Sequence, residues 1–350
     1  MTRFNYDQFE QDLDEIKFST LDKVGQQDAN HIRRVIRQQR FCSWGGRILL
    51  MMGLIHPALW VVGILLLSIA KILENMEIAH NVMHGQYDWM NDKQLNSQSY
   101  EWDIACDGKS WNRVHNFEHH TYTNIIGKDR DFGYGLLRLS DDFKWRFKNV
   151  WQFITYLNLS VLFQWGVSYH ELAGERVFIG KKKENREGQV SHEELKQRFF
   201  SKGARQLIKD YVLFPLLAGP LFLWVLIGNL AANLIRNLWT STIIFCGHFT
   251  QQTHTFKEED CENESQGQWY YRQVLGSSNI SGPHWFHVLT GHLSCQIEHH
   301  LFPDLPSSRY QEVAKKVQVV LQKHGIGYNT GSFARQYASV VKRILRYSFK

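Results

Sequence analysis

The chain has 350 residues, a formal net charge of +6 and a mean hydropathy of -0.36. This length allows one large domain or two small ones, and the five cysteines have no CxxC or ferredoxin spacing, which argues against a disulfide framework and an iron–sulfur cluster. No nucleic-acid-binding motif accompanies the positive charge, so an anionic membrane surface explains the charge better than nucleic acid does.

The N-terminal part of the chain, residues 1–40, is predicted to be a cytosolic helical lead. Asp28 or Asn30 is a suitable N-cap for a basic helix that follows it. The first residues are acidic and polar, without a basic region that leads into a short apolar stretch. No cleaved signal peptide is therefore expected.

Apolar residues dominate from residue 41 to residue 75. The pair Gly45–Gly46 and the break at His56–Pro57 favour two short membrane spans, 41–56 and 58–75, over one long span. Together these two spans are predicted to form a helical hairpin.

A second apolar region lies between residues 208 and 249. It is too long for one crossing of a hydrocarbon core of roughly 30 Å, because a helix rises about 1.5 Å per residue. The chain is predicted to reverse near Gly228–Asn229, which gives spans 208–227 and 230–249. Arg236 would then lie near the distal membrane face, where its long side chain can reach water.

The aromatic segment 149–170 is predicted to lie on the membrane surface, because its Trp, Tyr and Asn content suits an interfacial helix better than a fifth span. The charged stretch 181–189 is predicted to be an exposed loop. With two hairpins, both termini and all long polar segments share one face, which carries nearly all Lys and Arg. By the positive-inside rule this face is cytosolic.

The predicted fold class is therefore an all-α integral membrane protein with four transmembrane helices in two hairpins. Residues 41–345 would form a single domain, and 346–350 a short tail. The expected location is the cytoplasmic membrane, with the long polar segments on the cytosolic face.

Three histidine clusters have the sequences HNVMH, HNFEHH and QIEHH. Histidines four residues apart on a helix lie on one face, about 6 Å apart, and a histidine directly after such a pair points roughly 100° away, towards a neighbouring ion. One HxxxH pair alone is more often a surface pair, but three clusters on one membrane face predict a metal site. Imidazole suits iron, zinc, copper and nickel, so ligand type does not name the metal. The seven histidines are His80, His84, His115, His119, His120, His299 and His300.

The combination HxxxH, HxxxHH and QxxHH resembles the three histidine boxes of the membrane fatty acid desaturase family. The neighbouring sequences GQYDWMND, GKDRDFGYG and LFPDLPSSRY are similar to those of bacterial acyl-CoA or acyl-lipid desaturases, and the likeness covers about 45–345. The resemblance implies a four-helix membrane anchor capped by a cytosolic helical domain that holds a di-metal site. The site would contain two iron ions, lie on the cytosolic face and use O2 as co-substrate. It also implies that the seven histidines are catalytic metal ligands and that His248 is a further ligand, with His254 as its weaker rival.

Several candidates for the remaining coordination stay open. Gln296 occupies a position where other branches of the family have histidine, and Asn279 is a candidate for holding a metal-bound water. His284, His287 and His292 are candidates for completing the coordination or for lying behind the ligands. Carboxylates that could orient ligand imidazoles are Glu77, Asp103, Glu118 and Glu298.

The resemblance implies a desaturase that introduces a cis double bond into an acyl-CoA or acyl-lipid chain with two external electrons. The chain has no Rossmann glycine motif, ferredoxin cysteine run or HPGG haem motif, which predicts a separate ferredoxin- or cytochrome-type donor with its reductase. Membrane lipids are the other expected partners, and nucleic acid is not. The alternatives are a fatty acyl hydroxylase of the same di-iron type, a catalytically inactive homologue, and a histidine-rich metal transporter, whose ligands should lie near the membrane midplane.

Overall fold

The first two long helices form an antiparallel hairpin in the computed structural model, which describes residues 4–180 and 190–349. Helix Gln26–Met51 is followed by a tight reversal and by helix Pro57–Met83. Pro57 occupies the first position of the second helix. This position suits proline, because proline has no backbone N–H that would be left unpaired there. The reversal at residues 52–56 lies beside the predicted His56–Pro57 break.

Gly46 and Gly63 allow the two arms of this first hairpin to pack close together. A Cβ atom on Gly46 would lie 2.8 Å from the backbone nitrogen of Leu67, and one on Gly63 would lie 2.8 Å from that of Leu50. The helix Gln26–Met51 contains residues 40 and 41, where the predicted N-terminal lead meets the predicted membrane domain. Its N-cap is Gly25, not Asp28 or Asn30.

The second hairpin reverses earlier than the sequence analysis predicts. Its first arm consists of the consecutive helical segments His192–Leu207, Ile208–Leu213 and Phe214–Leu217, and its second arm is Phe222–His248. The turn is at 218–221, where Gly219 has a φ of +56°. The predicted turn at Gly228–Asn229 is wrong.

Packing explains this difference, because Gly228 lies inside the helix and faces the other hairpin. A Cβ atom there would lie 2.5 Å from Leu50 Cδ2. The placement predicted for Arg236, near the distal membrane face, is also wrong. Its side chain is 1% exposed and donates hydrogen bonds to Gln164, Asn233 and Asn237 instead of reaching water.

Two helices of the described part of the chain are long and apolar enough to cross a membrane, Pro57–Met83 and Gly219–His248. Their apolar side chains are not all covered by protein. Val61, Leu65, Leu223, Ile227 and Leu230 are each between 49% and 64% exposed. Such a contiguous apolar surface is typical of helices that contact lipid.

The remaining elements pack at one end of the hairpins. The segment predicted to be interfacial consists of two helices that separate at Leu162, and the charged stretch 181–189 lies outside the described residues. The α-helices of this polar cap are Tyr6–Leu21, Gly108–Trp111, His120–Tyr122, Gln152–Val161, Phe163–Glu171, Gly174–Val177, Gln266–Gly276, His284–Leu289, Gln296–Leu301, Tyr310–Lys323 and Phe333–Phe349.

One short strand pair departs from the predicted all-α class. Strand Asn279–Ser281 pairs in parallel with Thr330–Ser332. Gln336, on the C-terminal helix, donates a hydrogen bond to the carbonyl oxygen of Asn279 and holds that helix against the pair. Because three residues on each side carry no periodic pattern, the sequence gives no strand signal here.

Candidate metal centre

Each histidine box lies on a short helical segment at the polar end of the hairpins. The first follows the π-helix Leu73–His80, the second lies on the π-helix Asn112–His119, and the third lies on the helix Gln296–Leu301. π-Helical turns are rare and concentrate at functional sites, because the wider turn changes the direction of the side chains that follow. Two of the three boxes therefore depend on an unusual backbone.

The histidines meet in two adjacent groups, although they are far apart in the sequence. In each group the available ligand nitrogens lie within 4.8 Å of one another. We call these the first group, formed by His80, His84, His115 and His299, and the second group, formed by His119, His248 and His300.

His120 lies between the two groups. Its ring stacks on that of His300, with centroids 4.3 Å apart, and its centroid lies 4.6 Å from that of His84. The nitrogens of His120, His299 and His300 also lie within 4.8 Å of one another. All seven box histidines and His248 are therefore brought together, in an arrangement that has room for two neighbouring ions.

Most of these imidazoles form a hydrogen bond through Nδ1 with a residue outside the two groups. His119 donates to the Asp129 carboxylate over 3.0 Å, and His115 donates to Asp131 over 3.1 Å. His300 Nδ1 lies 3.0 Å from the amide oxygen of Gln273. A hydrogen bond at Nδ1 fixes the ring orientation and leaves the Nε2 lone pair free for a metal.

The inward nitrogens fit metal ions. The Nε2 atoms of His84, His115, His120 and His299 are buried and have no hydrogen-bond partner among the described residues. A buried polar atom without a partner costs about 1–3 kcal/mol, so four at one place are costly unless something binds them. Ions bound to these nitrogens would satisfy all four.

The electrostatics also suit metal binding. Burial lowers the pKa of His120, His299 and His300 well below its usual value, and the charges of neighbouring histidines lower it further. These imidazoles are neutral and keep the lone pair that a metal needs. For His119, burial lowers the pKa, but the Asp129 carboxylate outweighs it and raises the pKa above its usual value.

Gln296 faces the second group. Its amide nitrogen lies 3.0 Å from His248 Nε2, and its amide oxygen is buried without a partner among the described residues. Gly247 makes room for it, since a Cβ atom there would lie 2.9 Å from the Gln296 amide carbon. A half-turn of the amide would point its oxygen at the position that His248 and His300 share.

The other candidate histidines lie outside both groups. His254 is exposed, and His284 is exposed beside Gln311. His287 Nδ1 bonds to the Ser294 hydroxyl over 2.7 Å. His292 donates to Glu77 over 2.9 Å, and the other oxygen of Glu77 accepts from His31 over 2.7 Å.

Asn279 is also engaged with the protein. Its amide nitrogen donates to Glu298 and Tyr328, and its amide oxygen accepts from the backbone of Ile297. The amide oxygen can accept a second hydrogen bond, so a role of Asn279 in holding a metal-bound water stays a prediction.

The four carboxylates proposed to orient ligands do not do so in the structure. Glu77 contacts His31 and His292, Asp103 pairs with Lys209, and Glu298 accepts from Asn279 and Tyr328. Glu118 lines an outer cleft. The carboxylates that contact box histidines are Asp129 and Asp131, which sequence reasoning missed although both lie in the GKDRDFGYG segment.

Comparison with known proteins agrees with this geometry. Residues 55–332 match the family described as fatty acid desaturase. The chain belongs to this family. The desaturase is 41% identical over 96% of its length to the NADPH-dependent stearoyl-CoA 9-desaturase of Mycobacterium tuberculosis, of which it covers 78%. It is 25% identical over 77% of its length to the sn-1 linoleoyl-lipid 6-desaturase of Synechocystis, of which it covers 74%.

These matches establish that the protein is a membrane-associated fatty acid desaturase, and therefore an oxidoreductase of lipid metabolism. The transporter hypothesis is set aside accordingly. Its expectation of ligands near the midplane also disagrees with the structure, because the histidine groups lie where the apolar helices end, at Met83 and His248.

A narrow cavity of about 50 Å³ reaches the histidine groups of the desaturase. Its walls are mostly apolar, including Met76, Trp111, Val167 and Ile244. Glu171 also lines it, but burial raises the pKa of this carboxyl far above its usual value, so it is neutral. Asp131, the other carboxylate of the wall, is held by hydrogen bonds from His115 and His170, and the apolar remainder of the lining suits an aliphatic chain.

A wider cleft of about 880 Å³ lies on the outer side of this cavity. Tyr134 lines both spaces. The cationic side chains of the cleft are Lys128, Arg130, Lys148 and Arg176, and its carboxylates are Glu118, Asp129 and Glu175, which leaves a small excess of positive charge. Lys128 pairs with Glu258, and Arg130 pairs with Glu175. An apolar cavity and a basic cleft that share one wall can accept the two ends of an amphiphilic molecule.

Proposed function

We propose that this desaturase introduces a cis double bond into the chain of a saturated acyl-CoA. Two C–H bonds on neighbouring methylenes are broken and one C=C bond forms. O2 is reduced to two water molecules by two electrons from the acyl chain and two electrons from an external donor, with two protons taken from solvent.

The pairing of the narrow apolar cavity with the basic cleft carries this proposal. An acyl chain suits the cavity, and the phosphates of CoA suit the cations of the cleft. Lys148 is exposed and forms no ion pair with another described residue, so it is available for a phosphate. The likeness to a stearoyl-CoA 9-desaturase supports the same carrier.

The two histidine groups are proposed to hold two iron ions, with His80, His84, His115, His119, His120, His248, His299 and His300 as ligands. Iron bound there would supply the O2 chemistry needed to attack an unactivated methylene. The chain itself positions the imidazoles through Asp129 and Asp131. The narrow cavity excludes water, and an acyl chain entering it displaces flexible side chains such as Met76.

Four membrane crossings and a cytosolic site are part of the proposal. In each hairpin, one arm is long and apolar enough to span a membrane, and the other arm runs beside it. A separate ferredoxin- or cytochrome-type donor with its reductase would deliver the electrons on the basic cytosolic side, in the cytoplasmic membrane.

Reconstitution with two stearoyl carriers tests the acyl-CoA assignment. Purified, iron-loaded protein receives stearoyl-CoA or distearoyl phosphatidylcholine, with NADPH, a ferredoxin and its reductase, and the products are identified by mass spectrometry. We expect a product lighter by two hydrogens from stearoyl-CoA. A product formed only from the phospholipid would contradict the carrier, and a product heavier by one oxygen would indicate the hydroxylase.

The cleft is tested by Lys148→Gln beside Lys144→Gln, a neighbouring exposed lysine that does not line the cleft. The first variant should raise the KM for stearoyl-CoA about two- to fivefold with little change in kcat, the size of one exposed ion pair. The second should leave both constants unchanged. Equal effects of the two variants would show that the cleft does not bind the CoA phosphates.

A further inference from the structure

A second groove, of about 650 Å³, shares no lining residue with the basic cleft. It is formed by the helix Gln26–Met51, the helix Pro57–Met83 and the short helix His284–Leu289. Its lining contains no carboxylate. The nitrogen-bearing basic side chains that line it are His31, Arg34, Arg37 and His284.

The positive charge of this groove is not neutralised by the described part of the chain. Arg34 and Arg37 are exposed, and neither forms an ion pair with another described residue. Arg34 and Arg37 are three residues apart, and Phe41 follows Arg37 by four, so the three side chains share one face of the helix. The guanidinium groups of Arg37 and Arg34 therefore lie about one and about two helical turns from the exposed ring of Phe41.

The apolar side of the groove continues towards the membrane. Phe41 is 74% exposed and Trp285 is 62% exposed, and Ile69 and Leu73 complete the wall. Phe41 begins the apolar part of the first hairpin, and Leu73 lies near the other end of the same apolar region. Exposed aromatic rings next to arginines, where an apolar segment begins, mark the depth of the membrane–water interface.

We propose that this groove binds an anionic glycerophospholipid, with the phosphate on Arg34 and Arg37 and the acyl chains along Phe41, Ile69 and Leu73. The positive charge of the groove favours an anion. The apolar wall favours a lipid over a free phosphate, because a phosphate would leave that wall uncovered. A soluble redox protein could reach the arginines but not the wall at acyl-chain depth. The groove also shares no lining residue with the cavity that leads to the histidines.

The bound lipid would touch the outer end of a hydrogen-bonded series that leads to the metal centre. His31, in the groove, bonds to Glu77 over 2.7 Å. Asn81 donates to the backbone carbonyl of Glu77 over 2.9 Å and accepts from His80 Nδ1 over 3.1 Å. A lipid bound in the groove would thus stabilise the helix that carries the first box. This inference does not depend on the acyl carrier proposed above.

Native mass spectrometry of the full-length protein in a neutral detergent tests this inference. The probes are phosphatidylglycerol and phosphatidylcholine with the same acyl chains. We expect the wild type to retain phosphatidylglycerol in preference. The variant Arg34→Gln/Arg37→Gln should reduce this retention roughly 10- to 30-fold, because each basic residue at a membrane surface contributes about fivefold in affinity.

The matched control is Arg33→Gln/Arg40→Gln, which removes the same charge from the same helix at two exposed positions outside the groove. It should retain the lipid like the wild type. Trp285→Ala tests the apolar wall without changing the charge, and it should weaken retention. Equal retention of both lipids, equal loss in the control, or displacement of the lipid by acyl-CoA would overturn the proposal. The proposal would also be overturned if Arg34→Gln/Arg37→Gln retained phosphatidylglycerol but had a lower activity with an acidic electron donor.

Discussion

At the scale of single residues, the centre depends on the groups behind the imidazoles as much as on the imidazoles themselves. Asp129 accepts from His119 and also from the backbone nitrogens of Asn124 and Asp131. One carboxylate thus fixes an imidazole of the second group and the loop that supplies Asp131. The ring of His119 cannot turn without breaking this contact.

Asp129→Asn should therefore lower iron affinity or activity roughly 10- to 100-fold, because the amide accepts a weaker hydrogen bond from His119. Iron per chain, measured by mass spectrometry after dialysis against a chelator, checks this. Asp141→Asn is the control, since the Asp141 side chain is 75% exposed and lies outside the histidine groups. Iron content unchanged in Asp129→Asn would show that the carboxylate does not support the ligand.

The histidines were identifiable from the sequence because their spacing is periodic and their chemistry is narrow. Asp129 and Asp131 were not, since carboxylates are common and only the fold shows which of them reach an imidazole. Glu77 and Glu298, the nearer neighbours in sequence, point to other partners. Closeness along the chain was a poor guide to contact in space.

At the scale of helices, close packing in the first hairpin requires particular glycines. The two neighbouring glycines Gly45 and Gly46 differ sharply. A Cβ atom on Gly45 would lie 3.6 Å from Leu66 Cδ1, an ordinary contact, whereas one on Gly46 would meet the backbone of the other arm at 2.8 Å. A backbone atom cannot move aside as a flexible side chain can.

Gly46→Ala should thus destabilise the protein by about 1–3 kcal/mol through overpacking. Gly45→Ala should leave stability unchanged or raise it slightly, because alanine favours a helix by about 1 kcal/mol over glycine. Thermal unfolding in detergent, followed by tryptophan fluorescence, compares the two. The packing argument fails if both variants melt at the same temperature.

The same contrast explains which turns the sequence predicts. His56–Pro57 was informative because proline at the start of a helix has few other roles. Gly228–Asn229 was misleading because a glycine in an apolar helix serves close packing as well as turning, and Leu50, its contact, is far away in sequence. The π-helices of the first two boxes have no sequence signature at all.

At the scale of the whole molecule, a buried ion pair joins the two hairpins. Lys71, on the first, donates to Asp210, on the second, over 2.7 Å, and both side chains are at most 3% exposed. Asn233 adds a hydrogen bond to the same carboxylate over 3.0 Å. The relative position of the hairpins is fixed by this pair as well as by apolar packing.

Lys71→Met should destabilise the protein towards the lower end of about 3–5 kcal/mol, because it removes the hydrogen-bonded cation of the buried Asp210 carboxylate and leaves Lys209, 3.8 Å from the other carboxylate oxygen, as a weaker partner. The double variant Lys71→Met/Asp210→Asn removes the charge and should recover part of the loss. Chemical unfolding in detergent measures both. A double variant no more stable than the single one would mean that the pair itself is not what matters.

The helix Pro57–Met83 combines an apolar surface with part of the first histidine box. Its first turns expose apolar side chains, and its last turns carry His80, with His84 directly after Met83 and no intervening loop. If this helix spans the bilayer as proposed, the membrane segment and the first histidine box cannot shift independently. A change in bilayer thickness would then act on the positions of these two imidazoles.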